Sequence, residues 1–290
     1  MRRLTWTVSV MAYLCLATFG AAQGGLKVFI SVDMEGITGV VDREGTGSSG
    51  SQYQYFREVM TKEANAAIEG ALAAGATEVV VRDSHGSKTN LLPEELNRNA
   101  LLVRGLDPGP KNMMLPIDAS FDAAIFIGYH AKAGTPDAIL EHTSNGNVSD
   151  FSINGVSLPE GGYNALIAGL YNVPVVFVAG DKAVCDQIEG LVGDIETVAV
   201  KEAIGPVAVN LHPEVARERI RDGVEKAVRN RAQYEPYKLS PPYTMKLQLK
   251  SEETINDGAL YPGATRTGDW EITYTSSDLL EVLKAFNATK

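Results

Sequence analysis

Metal-ligand side chains stand at the ends of three hydrophobic segments of this sequence. Asp33 and Glu35 lie in SVDMEG, His85 ends RDSH and His130 ends GYH. Two carboxylates that are two positions apart on an extended backbone project to the same side and can share one cation, and imidazoles from neighbouring strands can complete its shell. The sequence therefore predicts a metal site, with Glu160 at the start of a helix as a further ligand from a different segment.

Each of these residue types also has an ordinary structural interpretation. An isolated Asp at a strand end more often caps a helix or forms a turn, and an isolated His is usually a structural or surface residue. Their placement favours a site, because His85, His130 and His142 are three of only four histidines and lie beside carboxylates at one inferred sheet edge. His212, at a helix start, is assigned a structural role.

The candidate ligands exceed what a single ion needs. Zinc in a tetrahedral site takes four ligands, so the set of Asp33, two His and two Glu predicts two ions that share a bridging carboxylate, with Asp33 as the bridge. Two adjacent metal ions can activate water and polarise a carbonyl, which are the two tasks of amide hydrolysis. His142 is predicted to be a general acid/base beside them, and a surface His in a polar loop is the alternative.

Three other residues are predicted to have roles outside the ligand set. Ligating imidazoles usually donate their second N–H to an oxygen, so Asp83 is expected either to accept from a ligand or to fix the loop. Asn164 is expected either to bind substrate or to brace its helix. Cys185, at an apolar position of a predicted helix, is interpreted as a small core residue rather than a nucleophile.

The elements that would position these residues follow an alternating pattern. LKVFISVD, TEVVVRDSH, AAIFIGYH and VPVVFVAG are predicted to be buried strands, with helical segments between or after them. Strands that alternate with helices predict right-handed crossovers and a three-layer α/β/α fold with a mainly parallel sheet. In such sheets ligands bind at the carboxyl edge, which is where the candidate residues stand.

The chain of 290 residues is long enough for one large domain or two modest ones. Residues 25–192 are predicted to form a metal-binding α/β catalytic domain, and residues 193–290 a smaller α+β domain, because the alternating pattern changes there. The segment FSINGVSL is predicted to be a small hairpin that turns at Asn154-Gly155.

Composition and charge restrict the partners. With 44% hydrophobic and 21% charged residues the chain has the composition of a soluble globular protein. Its formal net charge of −10 argues against nucleic acid, since phosphate binding needs a basic patch. The acidity suits a metal cation, although net charge alone also serves solubility.

The first 22 residues are predicted to be a secretory signal peptide. Arg2 and Arg3 precede an apolar run, and Gly20, Ala21 and Ala22 supply small residues at the expected cleavage point. The alternatives are an uncleaved membrane anchor or a buried helix, but the run is short for a span. The mature protein is thus expected to be exported, periplasmic or secreted, without stable membrane insertion.

The motifs SVDMEG, RDSH, GYHAKAGTP, EHTSNG, EGGYNA and VPVVFVAGD, in this order, resemble the bacterial zinc D-aminopeptidase family associated with dipeptide-transport operons. The resemblance covers nearly the whole chain after the predicted signal. It implies hydrolysis of the N-terminal residue of short peptides that contain D-amino acids, and a large homo-oligomeric ring that encloses the active sites.

The resemblance also assigns roles to individual residues. It implies that Asp33 bridges two zinc ions, with Glu35 and His85 on one ion and His130 and Glu160 on the other. His142 matches the residue proposed as the family's nucleophile, so the sequence leaves open a nucleophile or a general acid/base. This chain departs from the family at Gly205-Pro206, where a Ser-Arg pair is typical, so the peptide preferred by the family need not be preferred here.

Two other functions compete with this interpretation. One is another dinuclear metal-dependent amidohydrolase or a phosphoesterase, although a phosphoesterase would add Arg or Lys around the site and only Arg82 stands beside a proposed ligand loop. The other is a non-catalytic, metal-dependent peptide-binding protein. Substitution of His142 would distinguish an enzyme from a binding protein.

Overall fold

Two β-sheets and their flanking helices make up the fold, in a computed structural model that describes residues 24–290. The predicted signal peptide, residues 1–22, lies outside the described residues. The strands are β1 (Lys27–Val32), β2 (Glu78–Asp83), β3 (Ala100–Val103), β4 (Ala123–Tyr129), β5 (Val148–Ile153), β6 (Val156–Ser157), β7 (Val175–Asp181), β8 (Glu196–Ile204), β9 (Val207–Asn210), β10 (Tyr243–Leu249), β11 (Thr265–Arg266) and β12 (Glu271–Ser276). The helices are α1 (Arg43–Thr46), α2 (Tyr53–Ala73), α3 (Glu160–Leu170), α4 (Lys182–Val192), α5 (Pro213–Arg229), α6 (Glu252–Gly258) and α7 (Leu279–Thr289).

The larger sheet has the strand order β3-β2-β1-β4-β7-β8-β9. Every neighbouring pair is parallel except β8 with β9, which form an antiparallel edge. Its central strands β1, β4 and β7 are buried almost throughout, which is why their sequences are continuously apolar. The predicted α/β fold with a mainly parallel sheet is confirmed.

The smaller sheet has the order β11-β12-β10-β5-β6 and is antiparallel. Strands β5 and β6 form the expected hairpin, and Asn154 (φ 53°) and Gly155 (φ 80°) occupy its turn with the positive φ angles that a tight hairpin needs. This sheet takes strands from both sides of residue 193, while β8, β9 and α5 belong with the larger sheet. The smaller sheet therefore crosses residue 193, because β10 pairs with β5, which lies far earlier in the chain. The division of the chain into two domains stays a prediction.

Helices cover both faces of the larger sheet. On one face α2 packs against α5, and their buried side chains share a core with β1, β4 and β7. On the other face α3 and the smaller sheet share a second core with the same strands. Helix α2 is rich in Ala and Glu, which favour helix, and Gly75 (φ 98°) follows its end with a left-handed backbone.

Cys185 is a buried free thiol in α4, as its apolar position predicts, and burial raises its pKa to about 12. Such a thiol remains protonated at neutral pH and is a poor nucleophile. Within residues 24–290 no helix combines the length and the apolar character needed to cross a bilayer.

A buried carboxylate in α2 makes the stability of the fold depend on pH. Glu63 is fully buried, its Oε1 accepts a hydrogen bond from the Thr38 N–H at 3.1 Å, and its Oε2 has no partner among the described residues. Burial raises the pKa of Glu63 from 4.5 to about 7, although the hydrogen bond from Thr38 and the charge of Lys201 oppose the shift.

We expect Glu63→Gln to remove part of this pH dependence. Because the folded state holds the Glu63 proton more tightly than the unfolded chain, wild-type stability falls as the pH rises from 4.5 to about 7. Over that range the free energy of unfolding of the variant, relative to wild type, should rise by up to about 3 kcal/mol. Urea unfolding at several pH values measures this difference, and parallel pH profiles for the two proteins would contradict it.

Candidate metal centre

The order of the central strands brings the candidate ligands together. Strand β1 lies between β2 and β4, and all three end at the same edge of the sheet. Asp33 follows β1, while His85 follows β2 and His130 follows β4, so the two imidazoles flank the Asp33 carboxylate from both sides. Glu160, the first residue of α3, approaches from the next layer.

Two glycines allow the loop after β1 to pack directly on the end of β4. The Gly36 N–H donates to the Gly128 carbonyl at 2.7 Å, and a Cβ on Gly36 would overlap the backbone of Tyr129. Gly128 has a φ of 70°, and a Cβ there would overlap the Asp33 backbone. This backbone contact holds the SVDMEG and GYH motifs side by side.

His130 has a buried nitrogen in position to bind a cation. Its Nδ1 donates to the Ala131 carbonyl at 2.9 Å, so Nε2 carries the lone pair. Nε2 has no hydrogen-bond partner among the described residues and lies 3.7 Å from both Asp33 Oδ2 and Glu160 Oε1. These separations are too long for hydrogen bonds, but they suit atoms that share an ion at about 2.0–2.2 Å from each.

His85 faces two carboxylates in a way that also calls for a positive charge. Its Nε2 lies 3.0 Å from the Thr46 carbonyl, which can only accept, so Nε2 carries a proton. Its Nδ1 lies 3.2 Å from Asp33 Oδ1 and 3.0 Å from Glu35 Oε2. In a neutral ring this nitrogen would point a lone pair at two anionic oxygens, so either an imidazolium or a metal ion is required there.

The pKa values of these groups reflect the same cluster of charges. Burial lowers the pKa of His85, but the charge of Glu35 and hydrogen bonds to Asp33 and Glu35 outweigh burial and raise the pKa to about 11. Burial also lowers the pKa of His130, but the charges of nearby carboxylates, Glu160 first among them, outweigh burial and raise the pKa. For Glu35 burial would raise the pKa, but the charge of His85 and a hydrogen bond to it lower the pKa well below its usual range.

His142 joins the cluster from the loop between β4 and β5. Its ring stacks on that of His130, with the centroids 4.1 Å apart and the planes at 15°. Its Nδ1 donates to the Leu140 carbonyl at 2.9 Å, and its Nε2 lies 3.7 Å from Glu160 Oε1. Two overlapping groups could each hold an ion, namely Asp33 with Glu35 and His130, and His130 with His142 and Glu160.

A cavity of about 250 Å³ opens onto the cluster. Asp33, Glu35, His85 and Glu160 line it together with His142, while His130 is fully buried behind them. The structure thus brings all five predicted ligands and the predicted catalytic His to one place. The chemistry of the donors, the unpartnered His130 nitrogen and the Nδ1 of His85 all fit bound metal ions.

Asp83 takes the second of the two roles expected for it. Its carboxylate accepts from the backbone N–H groups of Asn90, at 2.5 Å, and Leu91, at 2.7 Å, and from the Asn90 side chain at 2.8 Å. The Asn90 side chain in turn donates to the His85 carbonyl at 2.6 Å. Asp83 therefore fixes the loop that carries His85 and does not touch the imidazole.

Lys201 supports the ligand loop after β1, a role that its sequence context does not indicate. It is buried in β8 and its ammonium donates to three backbone carbonyls of that loop, those of Glu35, Ile37 and Val40. Burial lowers its pKa to about 8. The Lys201 ammonium thus fixes the backbone of the loop that carries Glu35.

The remaining polar candidates lie outside the ligand set. Asn164 is fully buried and donates to the Tyr129 hydroxyl at 2.9 Å, so it braces α3, one of its two expected roles. His212 caps α5, accepting from the Glu214 N–H at 3.2 Å. The Arg82 guanidinium donates to the carbonyls of Asn112 and Gly105 instead of facing the ligands.

Two lysines that line the cavity are missed by sequence reasoning. Lys88 follows His85 by three residues in RDSHGSK, so its proximity to a ligand is a usable signal. Lys290 follows α7, and nothing in the local sequence connects that position to the ligand motifs.

The fold and the cluster define a metal-binding α/β protein whose ligands stand at the carboxyl edge of a parallel sheet. A family model described as D-aminopeptidase matches residues 26–288. The chain therefore belongs to the D-aminopeptidase family of peptidases, and the resemblance found in its motifs is confirmed.

A sequence relative and a solved structure, both from Bacillus subtilis, agree with this assignment. A D-aminopeptidase of Bacillus subtilis (strain 168) is 37% identical over 267 residues, which cover 90% of this chain and 95% of the relative. The solved structure of the Zn-dependent D-aminopeptidase DppA from Bacillus subtilis, described as a self-compartmentalizing protease, superposes with a TM-score of 0.87 at 34% identity, over 90% of this chain and 95% of that one.

We expect Gly36→Ala to weaken metal binding without a change in any ligand. The added Cβ must push the ligand loop away from β4, which separates Asp33 and Glu35 from His130. Zinc affinity, measured by competition with a chelator, should fall by about ten-fold to a hundred-fold. Gly190→Ala is the control, since a Cβ there meets nothing within 4 Å. Wild-type zinc affinity in folded Gly36→Ala protein would contradict the expectation.

Proposed function

We propose that this protein is a zinc aminopeptidase that binds two ions and removes the N-terminal residue from short peptides containing D-amino acids. The observation that carries the proposal is the buried His130 Nε2, unpartnered among the described residues and 3.7 Å from both Asp33 and Glu160. Membership of the D-aminopeptidase family supports the reaction, and the zinc dependence of the Bacillus subtilis relative supports the metal.

In this proposal Asp33 is the shared ligand. Its two oxygens face different imidazoles, with Oδ1 towards His85 and Oδ2 towards His130. Glu35 then completes one site with His85, and Glu160 completes the other with His130. Zinc ions bound by these residues would supply the Lewis acidity needed to polarise a peptide carbonyl and to activate water.

His142 is the residue proposed to move the proton. The hydrogen bond from Nδ1 to the Leu140 carbonyl leaves the lone pair on Nε2, which faces Glu160 and the cavity. Nε2 can therefore accept a proton from water and pass it to the leaving amine. The face of His130 supports the ring, so its orientation is set before substrate binds.

We expect purified protein to contain two zinc ions per chain and to lose activity on chelation. Asp33→Asn should lose both ions because the shared ligand is weakened, whereas Glu160→Gln should retain one. Elemental analysis of dialysed protein measures the content, and re-addition of zinc should restore wild-type activity. Equal zinc content in both variants would rule out Asp33 as the bridge.

The stereochemical part of the proposal has its own test. Zinc-loaded protein should hydrolyse D-aminoacyl dipeptides with a kcat/KM at least about a hundred-fold above that of the matching L-aminoacyl dipeptides, as a pocket built for one configuration requires. A panel of D- and L-substrates assayed by release of the free amino acid gives the ratio. Hydrolysis confined to L-substrates would refute the D-preference and leave the metal site standing.

We expect His142→Ala to lower kcat by about 10²- to 10⁴-fold, with the zinc content retained. The matched control is His212→Ala, since His212 lies at the start of α5 and not in the cluster. Zinc analysis and steady-state kinetics on the same preparations separate the outcomes. Loss of zinc in His142→Ala would make this residue a ligand, and an unchanged kcat would remove it from the reaction.

Assembly and export are also proposals. The Bacillus subtilis relative is described as self-compartmentalizing, and we propose that this chain likewise forms a homo-oligomeric ring. Exposed apolar side chains at the β8–β9 edge, Ile204, Val207 and Val209, are compatible with a subunit contact. Export rests on the composition of residues 1–22 and is tested by the N-terminus and location of the native protein.

A further inference from the structure

Two lysines line the cavity together with four of the proposed metal ligands. Lys88 lies in the loop after β2 and is buried, and Lys290 follows α7 and is half-buried. Both line the same cavity of about 250 Å³ as Asp33, Glu35 and Glu160. The cavity is therefore lined by both carboxylates and ammonium groups, and the two lysines come from segments that lie far apart in the sequence.

Neither ammonium forms an ion pair within residues 24–290. Lys88 donates to the Ser84 carbonyl, and Lys290 donates to the Ser144 hydroxyl and, at 2.8 Å, to Asn287 Oδ1. An ammonium has three N–H donors, so Lys88 keeps two and Lys290 keeps one for a ligand. Surface lysines can leave donors to water, but Lys88 is only 8% exposed.

The charge of Lys290 is only partly balanced by its surroundings. Burial lowers the pKa of Lys290 to about 8, Glu160 opposes this shift, and the charge of Lys88 adds to it. The two ammonium groups are thus close enough to repel each other. An anion placed between them would relieve the repulsion and replace lost hydration.

The backbone around this end of the cavity is unusually constrained. Of seven described non-glycine residues with positive φ, three line the cavity: Lys88 (φ 60°), Asn112 (φ 36°) and Ser144 (φ 68°). Such conformations are unfavourable for these residues and cluster at ligand sites. The side chain of Asn112 also has a buried Oδ1 with no partner among the described residues. Lys88 is therefore held towards the cavity by a backbone that local preference alone would not select.

We propose that Lys88 and Lys290 form a subsite that binds the C-terminal carboxylate of a short peptide whose N-terminal residue lies at the metal ligands. This inference rests on the proposed peptidase function and adds a substrate class to it, namely peptides with a free carboxylate. At about 250 Å³ the cavity is smaller than most ligand sites, which measure about 300–1,000 Å³, so its volume suits a dipeptide better than a long chain.

The test compares D-alanyl-D-alanine with its C-terminal amide, which is uncharged at that end. In wild-type zinc-loaded protein the free dipeptide should have a kcat/KM about ten-fold or more above that of the amide, mainly through a lower KM. Lys88→Met and Lys290→Met should each bring this ratio towards one, and Lys290→Arg should retain part of it. Lys284→Met, on the exposed face of α7, is the matched control and should keep the wild-type ratio.

A second measurement does not depend on turnover. Calorimetric titration of metal-free protein with the same two ligands should give tighter binding of the free dipeptide in wild type, and equal binding in the two Met variants. Circular dichroism establishes that the variants are folded. Equal affinity of dipeptide and amide in wild type, or a wild-type ratio in both Met variants, would overturn the subsite. Absence of hydrolysis with the binding preference intact would instead refute the proposed function alone.

Discussion

Mutual repulsion among buried carboxylates is the constraint on which the rest of this structure depends. Asp33, Glu35 and Glu160 are all nearly inaccessible, and each is within reach of an imidazole. Three anionic groups in so small a volume are stable only with compensating positive charge. A protonated His85 supplies part of it, and a metal ion of the kind proposed for this site would supply the rest. The fold therefore places a strongly negative electrostatic potential, which favours cation binding, at the carboxyl edge of the larger sheet.

The parts that hold the cluster are mostly backbone groups. Glycine contacts join the loop after β1 to the end of β4, and Lys201 collects three carbonyls beneath Glu35. Asp83 fixes the loop that carries His85 in a similar way, since its carboxylate accepts from backbone N–H groups of that loop. Loops anchored through their own backbone keep carboxylates close without using the ligand atoms, so those atoms remain available to an ion.

The sequence predicts the larger sheet well because strands buried on both faces are continuously apolar, and the candidate ligands follow those strands directly. It does not predict the smaller sheet's composition, because the pairing of β5 with β10 joins segments that lie far apart in the chain. The position of Lys290 at the cavity is not predicted for the same reason, since only the packing of α7 brings this residue there. Arg82 shows that proximity in sequence is not enough: it is adjacent to the ligand loop, yet its guanidinium donates to backbone carbonyls.

The interleaving of the two sheets means that a cut at residue 193 would separate strands that pair with each other. A fragment ending at residue 192 would contain β5 without β10 and the strand β7 without β8, leaving both with open hydrogen-bonding edges. The remainder, residues 193–290, would expose the apolar side of α5 that packs on α2. Each piece would thus lack a surface on which its own core packs in the whole chain.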